Sequence, residues 1–281
     1  MAQTILVPTD FSNNATAATR YAIWLARKLR HNVHILHAYL PFTSAFQSPN
    51  ANETEEQRAR LGAEKSMATF LAGFEDMNGV QISHSLVKNT LVAAVEEYVE
   101  RNPTAILIMG THGASGTRRD ILGSNTYDVS KSVSVPLLVV PDQPVRFDIG
   151  HVAFFTDYHK DDVQSLNDIK AVFGDALEKC TLVHVVGEGV VPTEADTQKL
   201  EDWKSSLAQQ TGFERLDAQL IQGKENVEVV EETVDRLQAD LTLLTLVGGR
   251  NFLENLLHKS MAKTIIISPK TPVFLSAKKM D

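Results

Sequence analysis

The chain has 281 residues, 43% of them hydrophobic and 22% charged, with a formal net charge of −8. That length suits two cores of roughly 140 residues better than one, and the acidic balance excludes a general binder of nucleic acid or anionic membrane. One cysteine, Cys180, excludes an intrachain disulfide and fits a reducing compartment. No run approaches the roughly 18 apolar residues of a membrane span. The start of the chain lacks the basic and apolar segments of a signal peptide. The expectation is a cytoplasmic protein without membrane or nucleic-acid partners.

Thr4 to Val7 is a β-branched, apolar run that stops at Pro8-Thr9-Asp10-Phe11-Ser12, which predicts a buried strand ending in a polar loop. Ser12 or Asn13 can cap a helix through about Lys28. Val33 to Tyr39 is a second buried strand, and Pro41 to Asn52 reads as loop. Thr54-Glu55-Glu56-Gln57 has capping-box spacing and opens a helix to about Phe74. Gln81 to Val87 is a third strand, and Leu91 to Arg101 a helix stopped by Asn102-Pro103. Ala105 to Met109 is a fourth strand, Asn125 to Ser132 a helix, and Pro136 to Val140 a fifth strand. This βαβαβαβαβ order packs naturally as a parallel sheet with helices on both faces.

The pattern then repeats. Val152-Ala153-Phe154-Phe155-Thr156-Asp157 echoes Ile5 to Asp10 at an offset of 147, and Leu182-Val183-His184-Val185 echoes Ile35-Leu36-His37-Ala38 at the same offset. Pro272-Val273-Phe274 matches Pro136-Leu137-Leu138 at an offset of 136. The 11 missing residues are assigned to the connection after the second strand. Two copies of one domain follow, residues 1–142 and 149–281, joined by a polar linker near Gln143 to Ile149.

The strongest local signal is Met109-Gly110-Thr111-His112-Gly113, with Gly123-Ser124-Asn125-Thr126 following at the start of the next helix. Glycine lets main-chain N–H groups approach a phosphate without a Cβ in the way. The first N–H groups of a helix have no internal partner and carry the positive end of its dipole. Strand, glycine loop and helix start together make a polyphosphate cradle. It is neither a Walker A loop nor the dinucleotide G-x-G-x-x-G. The same glycines also suit an ordinary βα turn.

The spacing Gly-x2-Gly-x9-Gly-Ser resembles the ATP-binding loop of the universal stress protein family, and with the repeat the resemblance covers nearly the whole chain twice, as in a tandem, two-domain member. It implies two Rossmann-like domains, each a five-stranded parallel sheet in the order 3-2-1-4-5 with helices on both faces. The order reverses between strands 1 and 4, where a ligand is expected outside the carboxyl ends. Asp10 and Gly110, a hundred residues apart, would meet there.

By this resemblance Asp10 accepts from the adenine edge while Pro8 and Thr9 wall the base; a turn aspartate is the competing reading. Ala38 stands where the family usually has Val, and Val87 flanks the base or simply packs the core. Met109 and Gly110 lie beside the ribose and Gly113 near the α-phosphate. Gly123, Ser124, Asn125 and Thr126 hold the phosphates. His112 orders the loop or approaches a phosphate, and Arg118 and Arg119 reach the γ-phosphate or remain solvated. The implied cofactor is ATP, with Mg²⁺ arriving on the nucleotide rather than in a protein cage. No nucleophile–base pair stands out, and Cys180 aligns with Val33 as a small buried residue.

The resulting expectation is a nucleotide-binding stress-response regulator with an unknown protein partner. Alternatives are a slow ATPase, for which His112 and Asp120 are the only candidate water-positioning groups, or a ligand-free interaction scaffold. The two domains are expected to form an intrachain pseudo-dimer through antiparallel pairing of their last strands, with a further homodimer left open. The second domain is expected not to bind ATP in the family manner. At an offset of 136, Gly110 falls on Leu246, Gly113 on Gly249, Gly123 on Lys259 and Ser124 on Ser260. Phe155, in place of Pro8, would fill the base pocket.

Overall fold

The computed structural model describes residues 2–74, 79–111, 124–142, 145–223, 227–245 and 271–276. Strands β1 (Thr4–Pro8), β2 (Asn32–Tyr39), β3 (Ile82–Lys88), β4 (Thr104–Gly110) and β5 (Leu137–Val140) alternate with helices α1 (Asn13–Leu29), α2 (Pro49–Ala72), α3 (Leu91–Arg101) and α4 (Ser124–Ser132). The pattern resumes with β6 (His151–Phe155), α5 (Asp162–Phe173), β7 (Lys179–Val186), α6 (Glu194–Thr211), β8 (Leu216–Gln222), α7 (Val227–Leu237), β9 (Leu241–Leu244) and β10 (Val273–Leu275).

The helix starts follow from local chemistry. Ser12 holds the first free N–H groups of α1, its Oγ accepting from the Ala15 amide at 3.2 Å. The end of α1 is an αL residue, Arg30, with φ 57°. The predicted start of α2 at Thr54 is corrected to Pro49. Ser48 caps the helix, and Pro49 occupies the first turn, where its missing N–H costs nothing. Thr54 is already inside, its hydroxyl bonded back to the Asn50 carbonyl at 2.8 Å.

All ten strands form one sheet, in the order β3-β2-β1-β4-β5-β10-β9-β6-β7-β8. The first five have the expected order 3-2-1-4-5, and the last five run through the same order in mirror sequence. The two expected five-stranded parallel sheets are joined into one mixed sheet. Pairing is parallel within each half, and β5 meets β10 antiparallel, Leu138 opposite Phe274 at the centre. This is the predicted joining of last strands, and it leaves β3 and β8 as the sheet edges. One large core lies on the α1–α2 and α5–α6 side of the sheet, built on residues such as Ile5, Tyr21, Phe154 and Phe274. The other lies on the α3, α4 and α7 side, built on residues such as Leu6, Leu107, Val139 and Ala153. Cys180 is fully buried, as expected, and burial pushes its thiol pKa far up. Among the described residues no helix is long and apolar enough to cross a membrane.

The strand registers revise how the two halves align. Val33 and Cys180 hold equivalent places beside Ile5 and Val152, which preserves the offset of 147. Ile82 beside Val33 corresponds to Leu216 beside Cys180, an offset of 134. Leu107 beside Leu6 corresponds to Thr242 beside Ala153, an offset of 135. Leu137 beside Leu107 corresponds to Val273 beside Thr242, an offset of 136. The β2–β3 connection therefore loses 13 residues, and two later insertions of one residue each restore the total difference to 11. Gly110 corresponds to Thr245, not to Leu246.

Candidate functional site

The switch in strand order lies between β1 and β4, whose carboxyl ends bring Pro8-Thr9-Asp10 next to Met109-Gly110. Alternation along β1 puts Pro8 on the same face as Leu6. Met109 belongs to that face's core, and Ala38 and Val87, direct neighbours across β2 and β3, pack against it. Four sequence-predicted residues thus share one apolar surface at the mouth of the crevice. Pro8 and Met109 are buried, whereas Ala38 and Val87 remain partly open.

Above this surface the β1–α1 turn is tied down at several points. The Thr9 amide donates to the Leu36 carbonyl at 2.8 Å, and Thr9 Oγ1 accepts from the Phe11 amide at 3.0 Å. Phe11 is in the left-handed region, φ 64°, an uncommon conformation for a bulky residue. Asp10 Oδ1 accepts from the Ser12 amide at 3.0 Å, an Asx turn that leads into the α1 cap. The turn-aspartate role is therefore present, and it uses one carboxylate oxygen. His37 completes the arrangement. Its Nδ1 lies 2.8 Å from the Thr9 carbonyl, and its ring packs on Phe11 with centroids 4.3 Å apart. A carbonyl can only accept, so Nδ1 carries the proton.

The far wall is α4. Thr126, 3% exposed, donates its hydroxyl to the Gly110 carbonyl at 3.0 Å and fixes the helix start against the end of β4. Ser124 opens the helix and Asn125 is exposed. His112, Gly113, Gly123, Arg118, Arg119 and Asp120 lie outside the described residues, as do Leu246, Gly249, Lys259 and Ser260. Gly110 has a packing reason to be glycine. A Cβ there would come within 2.9 Å of Asn14 Cβ and 3.0 Å of the Asn14 carbonyl group, so the approach of α1 to β4 requires its absence. Close packing of α1 is sufficient to explain this residue without any ligand.

Phe11 and His37 are missing from the sequence-predicted set, although the repeat carries their signal. Tyr158 is also left-handed, φ 61°, and its amide donates to Thr156 Oγ1 at 2.9 Å. His184 Nδ1 likewise lies 2.8 Å from the Thr156 carbonyl, with its ring 4.4 Å from that of Tyr158. Thr, Asp, an aromatic residue and a distant His recur together at the offset of 147 because they form one hydrogen-bonded unit.

A model of the universal stress protein family matches residues 1–141. The chain belongs to that family. A universal stress protein of Methanocaldococcus jannaschii is 27% identical over 143 residues, spanning 48% of this chain and 80% of the relative. Among solved structures, a universal stress protein of Archaeoglobus fulgidus superposes with a TM-score of 0.67 at 15% identity, covering 98% of this chain and 96% of that one. A putative universal stress protein of Pseudomonas aeruginosa gives a TM-score of 0.58, also at 15% identity, over 98% and 93% of the two chains. At such identities the likeness shows that the fold extends over the whole universal stress protein chain, beyond the matched first half.

In the second half the counterparts of Pro8, Ala38 and Val87 are larger, and those of Ala38 and Val87 are buried where the first-half residues are partly open. Pro8, Ala38, Val87 and Met109 are replaced by Phe155, Val185, Ile221 and Leu244, all 7% exposed or less. Thr245 replaces Gly110, and Asp162 stands where the first half has Ala15. Asp162 Oδ1 accepts from Thr245 Oγ1 at 2.6 Å, and Oδ2 from Thr156 Oγ1 at 2.5 Å and Trp203 Nε1 at 3.2 Å. Burial raises the pKa of this carboxyl, with the three donors pulling the other way. α5 begins two residues later than its counterpart α1.

Proposed function

We propose that the first half, residues 1–142, binds an adenine nucleotide and that the second, residues 149–281, is a degenerate copy retained as its pseudo-dimer partner. The observation that carries this reading is the open apolar surface of Ala38 and Val87 beside Asp10 at the switch point, set against the filled equivalent in the second half. A planar base fits a half-open apolar surface with one acceptor at its edge. Pro8, Thr9, Ala38 and Val87 wall the base, and Asp10 accepts from the adenine amino group. Met109 and Gly110 flank the ribose. His112, Gly113, Gly123, Ser124, Asn125 and Thr126 serve the phosphates of ATP, and Mg²⁺ enters with the nucleotide. His37 and Phe11 are positioning residues that hold the Thr9-Asp10 turn. The protein then acts as a nucleotide-dependent stress-response regulator that signals through a protein partner.

Mass spectrometry of gently purified protein is expected to find a co-purified adenine nucleotide. Calorimetry with ATP provides the direct test. Gly123→Val puts a side chain into the phosphate path, and losing one charge-assisted hydrogen bond costs about 1.5–3 kcal/mol, roughly tenfold or more in affinity. Unchanged affinity in that variant would remove the assignment. Phosphate release no faster than in an Asp10→Ala control separates a regulator from a slow ATPase.

A further inference from the structure

Across β5 from the crevice, where the antiparallel join sets the amino ends of β9 and β10 beside the carboxyl end of β5, a cavity of about 220 Å³ opens between the linker and those two strands. Val145, Val234, Ala239 and Pro272 supply apolar walls, and Asp240 and Arg146 supply charge. Asp240 is 6% exposed. Its Oδ2 accepts from the His151 amide at 3.0 Å, while its own amide donates to the His151 carbonyl at 2.8 Å. That reciprocal pair fixes the carboxylate against the start of β6. Oδ1 has no hydrogen-bond partner among the described residues. Arg146 Nη1 stands 3.9 Å away, too far for a hydrogen bond, on a side chain that is 68% exposed.

A buried carboxylate oxygen without a donor is costly, and a charged donor satisfies it best. The cavity is larger than the roughly 150 Å³ engineered cavity that holds benzene, so it has room for a short carbon chain behind that donor. A second carboxylate, Asp235, lines the same space. A chamber walled in part by apolar side chains, with a fixed anionic residue in its lining, selects a small organic cation over an anion or a neutral molecule. We propose that this cavity is a binding site for a small primary alkylammonium, the ammonium donating to Asp240 Oδ1 and the carbon chain lying against Val145, Val234, Ala239 and Pro272. None of the lining residues belongs to the nucleotide crevice, and the proposal does not rest on that reading.

The test is calorimetry of the full chain with n-butylammonium chloride, with n-butanol as the neutral isostere. Saturable butylammonium binding at one site per chain, with butanol at least about tenfold weaker, is expected. Asp240→Asn keeps an acceptor for the His151 amide but turns a neutral group toward the cavity, and it should weaken butylammonium at least about tenfold. Arg146→Ala removes the competing cation and should leave binding equal or tighter. Equal binding of amine and alcohol would show an apolar void only. No binding, together with coupled losses of stability in Asp240→Asn and Arg146→Ala, would make Arg146 the partner of Asp240. Either result overturns the proposal, and the comparison of amine with alcohol on the unaltered chain stands even if a variant fails to fold.

Discussion

The two halves hold the same turn and differ in what lies beneath and beside it. In both, a Thr-Asp-aromatic segment closes on a histidine from the second strand, with matching left-handed residues and matching 2.8 Å contacts. Around that shared turn, the first half keeps small residues, Ala15, Ala38 and Gly110, where the second has Asp162, Val185 and Thr245. Both turns close through hydrogen bonds of their own, so the Thr-Asp pair has a structural part in the fold of each half. The Thr-Asp pair is therefore weak evidence for a nucleotide by itself, and the open space around it is stronger evidence.

The largest expected effect comes from the polar cluster that only the second half possesses. Asp162→Ala leaves the hydroxyls of Thr156 and Thr245 and the indole N–H of Trp203 without their acceptor. Unsatisfied buried groups cost about 1–3 kcal/mol each, and partial relaxation should leave a net loss of roughly 2–5 kcal/mol. Trp24 and Trp203 are the chain's two tryptophans, one in each half. In a Trp24→Phe background, urea unfolding followed by the remaining fluorescence reports on the second half directly. A loss well under 1 kcal/mol would mean that the cluster is incidental to its stability.

Next is the glycine at the end of β4. Gly110→Ala forces a Cβ against the backbone of Asn14, and overpacking of this kind costs typically about 1–3 kcal/mol. The same variant tests whether α1 can begin two residues later, as α5 does. Retained stability, with loss of α1 amide protection near Asn14 in hydrogen exchange, would show that it can.

Transferring one side chain from the second half into the first sharpens the functional contrast. Pro8→Phe, with Phe155 as its natural counterpart, fills the proposed base pocket and should lower ATP affinity about tenfold or more, a loss of at least about 1.4 kcal/mol. Stoichiometry should be one nucleotide per chain in the unaltered protein. Two equivalent sites by calorimetry would end the proposed asymmetry.

These contrasts were unevenly legible in the sequence. The strands themselves were legible as apolar runs, because buried parallel strands must be continuous and hydrophobic, whereas their order and the antiparallel join came from the family resemblance. The alignment of Gly110 with Leu246 failed because a single offset cannot follow three separate length changes. The registers place Thr245 there instead. Phe155 was readable as a pocket filler because it lies within the preserved offset. Asp162 was not, since an acidic residue in a helix's first turn has an ordinary dipole explanation. Only the packing of α6 and β9 brings Trp203 and Thr245 to it. The α2 start was missed because a complete capping-box pattern at Thr54 outweighed the plainer Ser48-Pro49 signal upstream.

The smallest expected effect is a difference in pH response. Burial raises the Asp162 carboxyl above its usual range, so the folded protein holds this proton more tightly than the unfolded chain. Below the ordinary carboxylate pKa both states are protonated and the contribution to stability is complete. As pH rises from there, the unfolded chain releases the proton first. Stability falls until the folded carboxyl also ionises, and then levels off. In the first half, His34 acts in the opposite sense. Burial lowers its pKa to about 4, its two ring nitrogens lying 2.8 Å from Ser83 and Ser85. Its contribution is complete above the ordinary histidine pKa and is lost as pH falls toward about 4. Total stability mixes the two, so the comparison must be made against a variant that removes only one. Asp162→Asn keeps an acceptor in the cluster and cannot ionise, while leaving His34 untouched. The stability of the unaltered protein relative to this variant should decrease from pH 4 upward and then become flat. A difference that stays constant with pH would show that Asp162 titrates alike in the folded and unfolded chain, and that its burial among three donors carries no net electrostatic cost.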